Sequence, residues 1–381
     1  MASLHAGALS DEARSTTSMN SANQDVSVTT PNVERGKLRV LIILGALMSF
    51  ASISTDMYLP AFPTMQRELG GAAGDIELTL SSFLAGFAVG QLLWGPIGDR
   101  YGRRLPIAVG LVLFVLGSIG CASSTSVMGV VVWRVVQAVG ACSGPVLARA
   151  MARVLYAGER AAQMLSTLIL IMMAAPLLGP LLGGQLLVVW SWQGIFWVLA
   201  VVGILALFGL PMLPETLPPD QRVRAPLGDV LTDYVALVRN PRLMGFALSS
   251  AFFYAGMYVF IAGSPFVYIE YFGVPSRDYG LLFGVNIVGM MVTNFLNTRL
   301  VMRLGSERLF RANAVAGVLA EAPGRAGAAS SLVGAMQYGS GVASAALVGW
   351  LADGTPRPMS WLMGASGVAA LATALLVKRE R

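Results

Sequence analysis

The chain is written in long apolar runs separated by short polar gaps. Runs of roughly 20 residues with almost no charge recur at about 38–59, 76–98, 105–123, 127–148, 163–188, 193–213, 244–268, 279–301, 328–352 and 358–377. A bilayer's hydrocarbon core is about 30 Å thick and a helix rises about 1.5 Å per residue, so each run is long enough to cross as a helix. The pattern predicts an all-α membrane protein of about ten transmembrane helices. Residues 1–37 are rich in Ser, Thr, Asn and Ala and predict a disordered tail, with no apolar segment at signal-peptide distance from the start. The longest gap, about 214–243, carries Pro214, Pro218 and Pro219 among mixed charges. It predicts a linker between a six-helix bundle over 38–213 and a bundle of about four helices over 244–377, followed by a short tail at 378–381.

Composition agrees with the pattern. Apolar residues make up 55% of the chain and charged ones only 12%, about half the share of a soluble domain. The net charge of +6 would suit a nucleic-acid partner, but its placement gives another explanation. Alternate gaps hold Arg35, Lys37 and Arg39; Arg100, Arg103 and Arg104; Arg149, Arg153 and Arg160; Arg222, Arg224, Arg239 and Arg242; Arg303, Arg308, Arg311 and Arg325; and Lys378, Arg379 and Arg381. The opposite gaps hold only Arg67, Arg277 and Arg357. Basic residues accumulate on the cytoplasmic side, so both termini are expected there and no nucleic-acid partner is needed. Cys121 and Cys142 are too few for a disulfide framework or a metal site, and His5, the sole histidine, lies in the tail. No phosphate-binding G-x-x-x-x-G-K-[ST] loop and no Ser-His-Asp or Cys-His set occurs in the runs, so neither an ATP-driven pump nor an enzyme is expected, and no cofactor or metal.

Trp94–Arg104, WGPIGDRYGRR, joins the second and third spans. Gly95 and Gly102 permit close backbone approach, and Asp99 lies among Arg100, Arg103 and Arg104, where charge-assisted bonds can break and re-form as helices move. This stretch resembles the signature loop of the major facilitator superfamily. Arg134-Val-Val-Gln137-Ala-Val-Gly140 resembles that superfamily's fourth-span pattern, and Gly179-Pro180-Leu-Leu-Gly183-Gly184 the G-P-x-x-G-G element of its drug/proton antiporters. Ser54–Pro63 resembles the first-span signature of the Bcr/CflA drug exporters, the bicyclomycin and chloramphenicol resistance group. The resemblance implies two helical bundles, a bacterial inner-membrane location, a monomer, protons and small lipophilic drug-like molecules as partners beside lipid, and a cytoplasmic gate at Gly95, Asp99, Arg100, Gly102, Arg103 and Arg104. It implies further that the Gly179-Pro180 bend seals the interior against proton leak. On physics alone the same element is a packing kink.

Asp56 and Arg134 are the ionisable residues well inside the spans, where charge is costly and usually faces a cavity. Both lie toward the outer side, so the two are expected to meet. Asp56 reads either as a proton-coupling carboxylate or as a charge that caps the helix end or neutralises Arg134, and Arg134 either as a residue that positions Asp56 or substrate or as a structural one. Gln91, Gln137, Asn286, Asn294 and Gln337 are candidate cavity amides, and Tyr254 and Tyr258 candidate pocket aromatics.

Met302–Gly327 breaks the pattern, being basic and too short to cross. Parallel repeats allow the halves to be laid against each other. Fifty-eight positions separate Gly102 from Arg160, but only 20 separate Gly305 from Arg325, so about 38 residues are absent by repeat symmetry. That is close to two spans and their hairpin, as the superfamily's usual twelve spans imply. An internal deletion is expected near Arg311/Ala312. A short connector in a true ten-span variant is the alternative. The function expected is a proton-coupled drug exporter, with a proton-linked uptake symporter and a truncated, non-transporting relic as rivals.

Overall fold

In a computed structural model, the described residues are 31–155, 158–222, 227–304 and 326–379. The expected deletion point at Arg311/Ala312 lies outside them. The chain divides into two units, Met1–Val40 and Leu41–Arg381. In the first, the described residues are helical from Pro31, where the sequence pattern placed a tail up to residue 37. All further description concerns the second unit.

Among the described residues the structure is helical and without strands. The long helices are α1 (Pro31–Asp56), α3 (Ala73–Tyr101), α4 (Arg104–Ala122), α5 (Val127–Leu155), α6 (Gly158–Val189), α7 (Trp192–Gly209), α9 (Pro241–Pro265), α10 (Tyr279–Leu304), α11 (Ala326–Trp350) and α12 (Arg357–Arg379). Two shorter ones are α2 (Phe62–Leu69) and α8 (Leu227–Val238). Each of the ten apolar runs falls on one long helix. Seven helices among the described residues are both long and apolar enough to cross a membrane by themselves. Helix α11 is diluted by Gly, Ala and Ser, the small residues that let helices approach closely, and it packs along α3 and α9.

Local sequence explains the breaks. Pro60 sits in the 3-10 turn Leu59–Ala61 that separates α1 from α2, and α2 ends on Gly70 in the left-handed conformation. The Asn240 side chain accepts hydrogen bonds from the amides of Arg242 and Leu243, and Pro241 follows at the first helical position of α9. Helix α9 continues into a π-helical segment, Phe266–Tyr271.

Helix α3 packs against α5 and α11, α5 against α4, α9 against α11 and α12, and α6 against α10. The linker region contains α8. Its Leu237 joins Leu243, Ala247, Ala329, Leu332 and Val333 in a core shared with α9 and α11. Outward faces carry aliphatic and aromatic side chains such as Val132, Leu205, Phe208 and Leu371, which suits lipid and not water.

Candidate functional site

Two clusters use the residues singled out in the sequence. The first surrounds the end of α1. Arg134, on α5, is wholly buried. Its Nη1 donates to the Ser54 carbonyl at 3.0 Å and to Gln137 Oε1 at 2.7 Å, and its Nε to the Thr79 carbonyl at 3.5 Å. The guanidinium carbon lies 4.1 Å from the Tyr58 ring centre and 4.2 Å from that of Phe83. Gln137 passes the network on, donating to Ser118 Oγ at 2.8 Å, which donates to the Phe114 carbonyl at 2.7 Å. Carbonyl dipoles and ring faces thus take the place of a counter-ion.

Asp56 is buried as well, at 3% exposure, but it is not paired with Arg134. Ion pairs join Arg103 to Asp99 and Arg277 to Asp278, whereas Arg134 is held by carbonyl, amide and ring groups. This corrects the expectation that Asp56 and Arg134 meet as partners. Helix geometry supplies the reason. Residues 54 and 56 lie about 200° apart around the axis, so the face that offers the Ser54 carbonyl to Arg134 is not the face that carries the Asp56 side chain. Asp56 Oδ1 accepts a hydrogen bond from Thr55 Oγ1 at 3.0 Å. Its Cβ faces α6 at Gly179, and a side chain at Gly183 would overlap the Met57 carbonyl. The G-P-x-x-G-G element therefore packs directly on Asp56 and Met57, and only residues without a Cβ allow that approach. Farther along α6, Gly184 meets the backbone of Ser276 and Arg277, just ahead of α10.

The second cluster is the loop between α3 and α4. Asp99 Oδ1 and Arg103 Nη2 lie 3.1 Å apart, one helical turn removed in sequence. Gly102 has φ +86 and ψ 177, a conformation that essentially only glycine adopts, and a Cβ there would strike Arg222 and Glu215. Glu215, from the linker, was not foreseen. Its carboxylate accepts the amides of Arg103 at 2.9 and 3.1 Å and of Arg104 at 3.1 Å, at the N-terminal end of α4, together with those of Thr216 and Leu217. Burial alone would raise its pKa, but these four amides outweigh that and hold the carboxyl below the usual carboxylate range. A depressed folded-state pKa adds stability above the unfolded value, and that contribution is lost as pH falls through the folded value. Glu215→Gln is accordingly expected to lower thermal stability at pH 7 by about 1 kcal/mol, allowing for the group's exposure. Melting in detergent at pH 7 and below pH 4 tests this: the gap between the variant and the parent closes at the lower pH, and a gap that widens there contradicts the clamp.

The candidate cavity residues separate. Gln137 is committed to Arg134 and Ser118. Gln91 is buried against Gly334, and Gln337 donates to Ser250 Oγ at 2.7 Å. Asn286 is half-buried, and the side chain of Asn294 lies outside the described residues. Tyr258 is buried with Tyr254 and Tyr338 at ring-centre distances of 6.4 and 6.0 Å, and Tyr338 reaches Phe87 at 4.2 Å. This aromatic column joins α3, α9 and α11. Tyr338 was missed, although it adjoins Gln337 in an otherwise small-residue span. Arg100 stands over the Tyr101 ring, Arg104 Nη2 donates to the Pro211 carbonyl at 3.4 Å, and Gly95 lies beside Ser331 of α11.

The Major Facilitator Superfamily pattern matches residues 42–322, and the chain belongs to that superfamily of membrane transporters, in its Bcr/CflA branch. It is 29% identical to the bicyclomycin resistance protein homolog of Haemophilus influenzae over 88% of this chain and 94% of that one. It is 31% identical to a chloramphenicol resistance protein of Pseudomonas aeruginosa over 71% of this chain and 64% of that one. Among solved structures, the nucleoside transporter NupG matches with a TM-score of 0.69 at 12% identity, over 90% of this chain and 99% of that one, which establishes the shared fold.

Proposed function

We propose that this protein exports small lipophilic drugs from the bacterial cytoplasm in exchange for protons. The observation that carries the reading is Asp56, a buried carboxylate held by one hydroxyl, free of a fixed cation and seated on the Gly179–Gly184 element of α6. A carboxylate locked to an arginine would resist protonation; one without that partner is able to take up and release a proton as its surroundings change. Arg134 acts by position, anchoring the end of α1 through the Ser54 carbonyl and Tyr58. The names of the bicyclomycin and chloramphenicol resistance relatives support the substrate class. The alternation of arginines supports cytoplasmic termini and, on that orientation, an inner gate at the Asp99–Arg103 pair and its Glu215 clamp. The halves, 38–213 and 244–377, rock about a midplane cavity beside the Tyr254–Tyr258–Tyr338 column, and the transporter works as a monomer.

The test is drug accumulation in an efflux-deficient bacterium carrying this chain. Exclusion of a panel drug that disappears when an uncoupler collapses the proton gradient is the expected result. Exclusion that survives the uncoupler would refute proton coupling. A second reading, a relic that no longer transports, is favoured by the short interval between Gly305 and Arg325. Absence of exclusion with normal membrane abundance, restored by inserting two spans at Arg311/Ala312, would establish it.

A further inference from the structure

At the end of the bundle opposite the Asp99–Arg103 pair, a cleft of about 310 Å³ opens between α3, the π-helical end of α9 and the α11–α12 turn. Its lining includes two carboxylates, Glu77 and Glu270, and no basic residue. Glu77 is 1% exposed, and its buried Oε2 has no hydrogen-bond partner. It presses against Gly349 of α11, where any side chain would overlap the carboxylate. Asp75 serves the N-terminal turn of α3 instead, accepting the Ala72 amide at 2.8 Å, which leaves Glu77 without a capping duty. Glu270 is exposed at the mouth.

A buried carboxylate without a partner is costly and calls for a proton or a cation. The walls decide which kind of cation fits. Phe266, Tyr271 and Met359 line the cleft, offering ring faces and a soft thioether. No group of three or more His, Cys, Asp or Glu suited to a metal occurs among the described residues, so the oxygen-rich shell of a divalent ion is not in place. Arg357, at the start of α12, does not line the cleft. The volume lies at the lower end of small-molecule sites, roughly 300–1,000 Å³.

We propose that this cleft binds a lipophilic organic cation, with Glu77 as its buried counter-charge and Glu270 as a second charge at the mouth. On the proposed orientation the site faces outward, apart from the midplane cavity. It is a binding site whether or not the chain transports.

Labelling of a cysteine at the rim tests this without any transport step. Cys121 and Cys142 are buried, so Ala352→Cys, at an exposed lining position, supplies the reactive thiol in the purified full chain. Tetraphenylphosphonium is expected to slow maleimide labelling of Ala352→Cys, whereas uncharged chloramphenicol is not. Adding Glu77→Gln is expected to raise the half-protecting concentration about tenfold, the effect of losing one desolvated charge contact. Glu270→Gln, at an exposed position that folding tolerates, is expected to raise it about threefold and carries the test if Glu77→Gln does not fold. No protection by the cation, equal protection by chloramphenicol, or protection indifferent to the carboxylate substitutions would each overturn the proposal.

Discussion

Asp56→Asn is expected to abolish proton-driven drug exclusion while leaving the protein folded and in the membrane. The amide is nearly isosteric with the carboxylate and still offers an oxygen to Thr55 Oγ1, so the packing on Gly179 and Gly183 is undisturbed. What it removes is the ability to exchange a proton. With the coupling step gone, accumulation in energised cells rises to that of cells carrying an empty vector, at least a tenfold loss of activity on the scale of a lost general acid–base group. Membrane level by blot and the melting temperature in detergent serve as controls. Undiminished, uncoupler-sensitive exclusion by the variant would sink the assignment of Asp56.

Arg134→Ala is expected to do the opposite, harming the fold before the function. Its guanidinium serves the Ser54 carbonyl, Gln137 Oε1 and the Thr79 carbonyl inside the first half. The Thr79 carbonyl keeps Ser82 Oγ as a donor at 2.9 Å, but the Ser54 carbonyl and Gln137 Oε1 lose theirs, and at about 1–3 kcal/mol for each acceptor left unmatched in the interior a loss of about 3 kcal/mol follows. Exposure of the buried Cys121 and Cys142 thiols on heating in detergent reports it. Arg134→Lys keeps the charge but loses the planar fork and most of the contact with the Tyr58 and Phe83 rings, and recovers less than half of the lost stability. A melting temperature unchanged in Arg134→Ala would show that the network is not structural. The two substitutions together separate a proton-handling role for Asp56 from a positioning role for Arg134.

Sequence reasoning placed both residues in the same region but gave them the wrong relationship. Two lone charges of opposite sign at similar depth suggest a pair. What that reasoning lacked was the rotation of α1 about its own axis, which turns the Ser54 carbonyl to Arg134 and the Asp56 side chain to α6. Gln137 misled in a related way. An amide in a span seeks a partner, and it found Arg134 and Ser118 in place of the cavity assigned to it.

What the sequence by itself determined is local. Apolar runs near 20 residues dictate membrane helices because unpaired backbone polar groups are not tolerated in hydrocarbon. Asp99 and Arg103 stand four residues apart, near enough in sequence for the turn at Gly102 alone to bring them to 3.1 Å. The tertiary structure alone decided what depends on docking distant helices. Glu215 reaches the Arg103 amide across 112 positions of sequence, and nothing in its own neighbourhood marks that destination. Glu77 presses on Gly349 and shares a cleft with Glu270 only because α3 packs along α11 beside the π-helical end of α9. Spacing along one helix is set by its 3.6-residue turn; contact between helices is set by which faces of each are small enough, and rotated rightly, to meet.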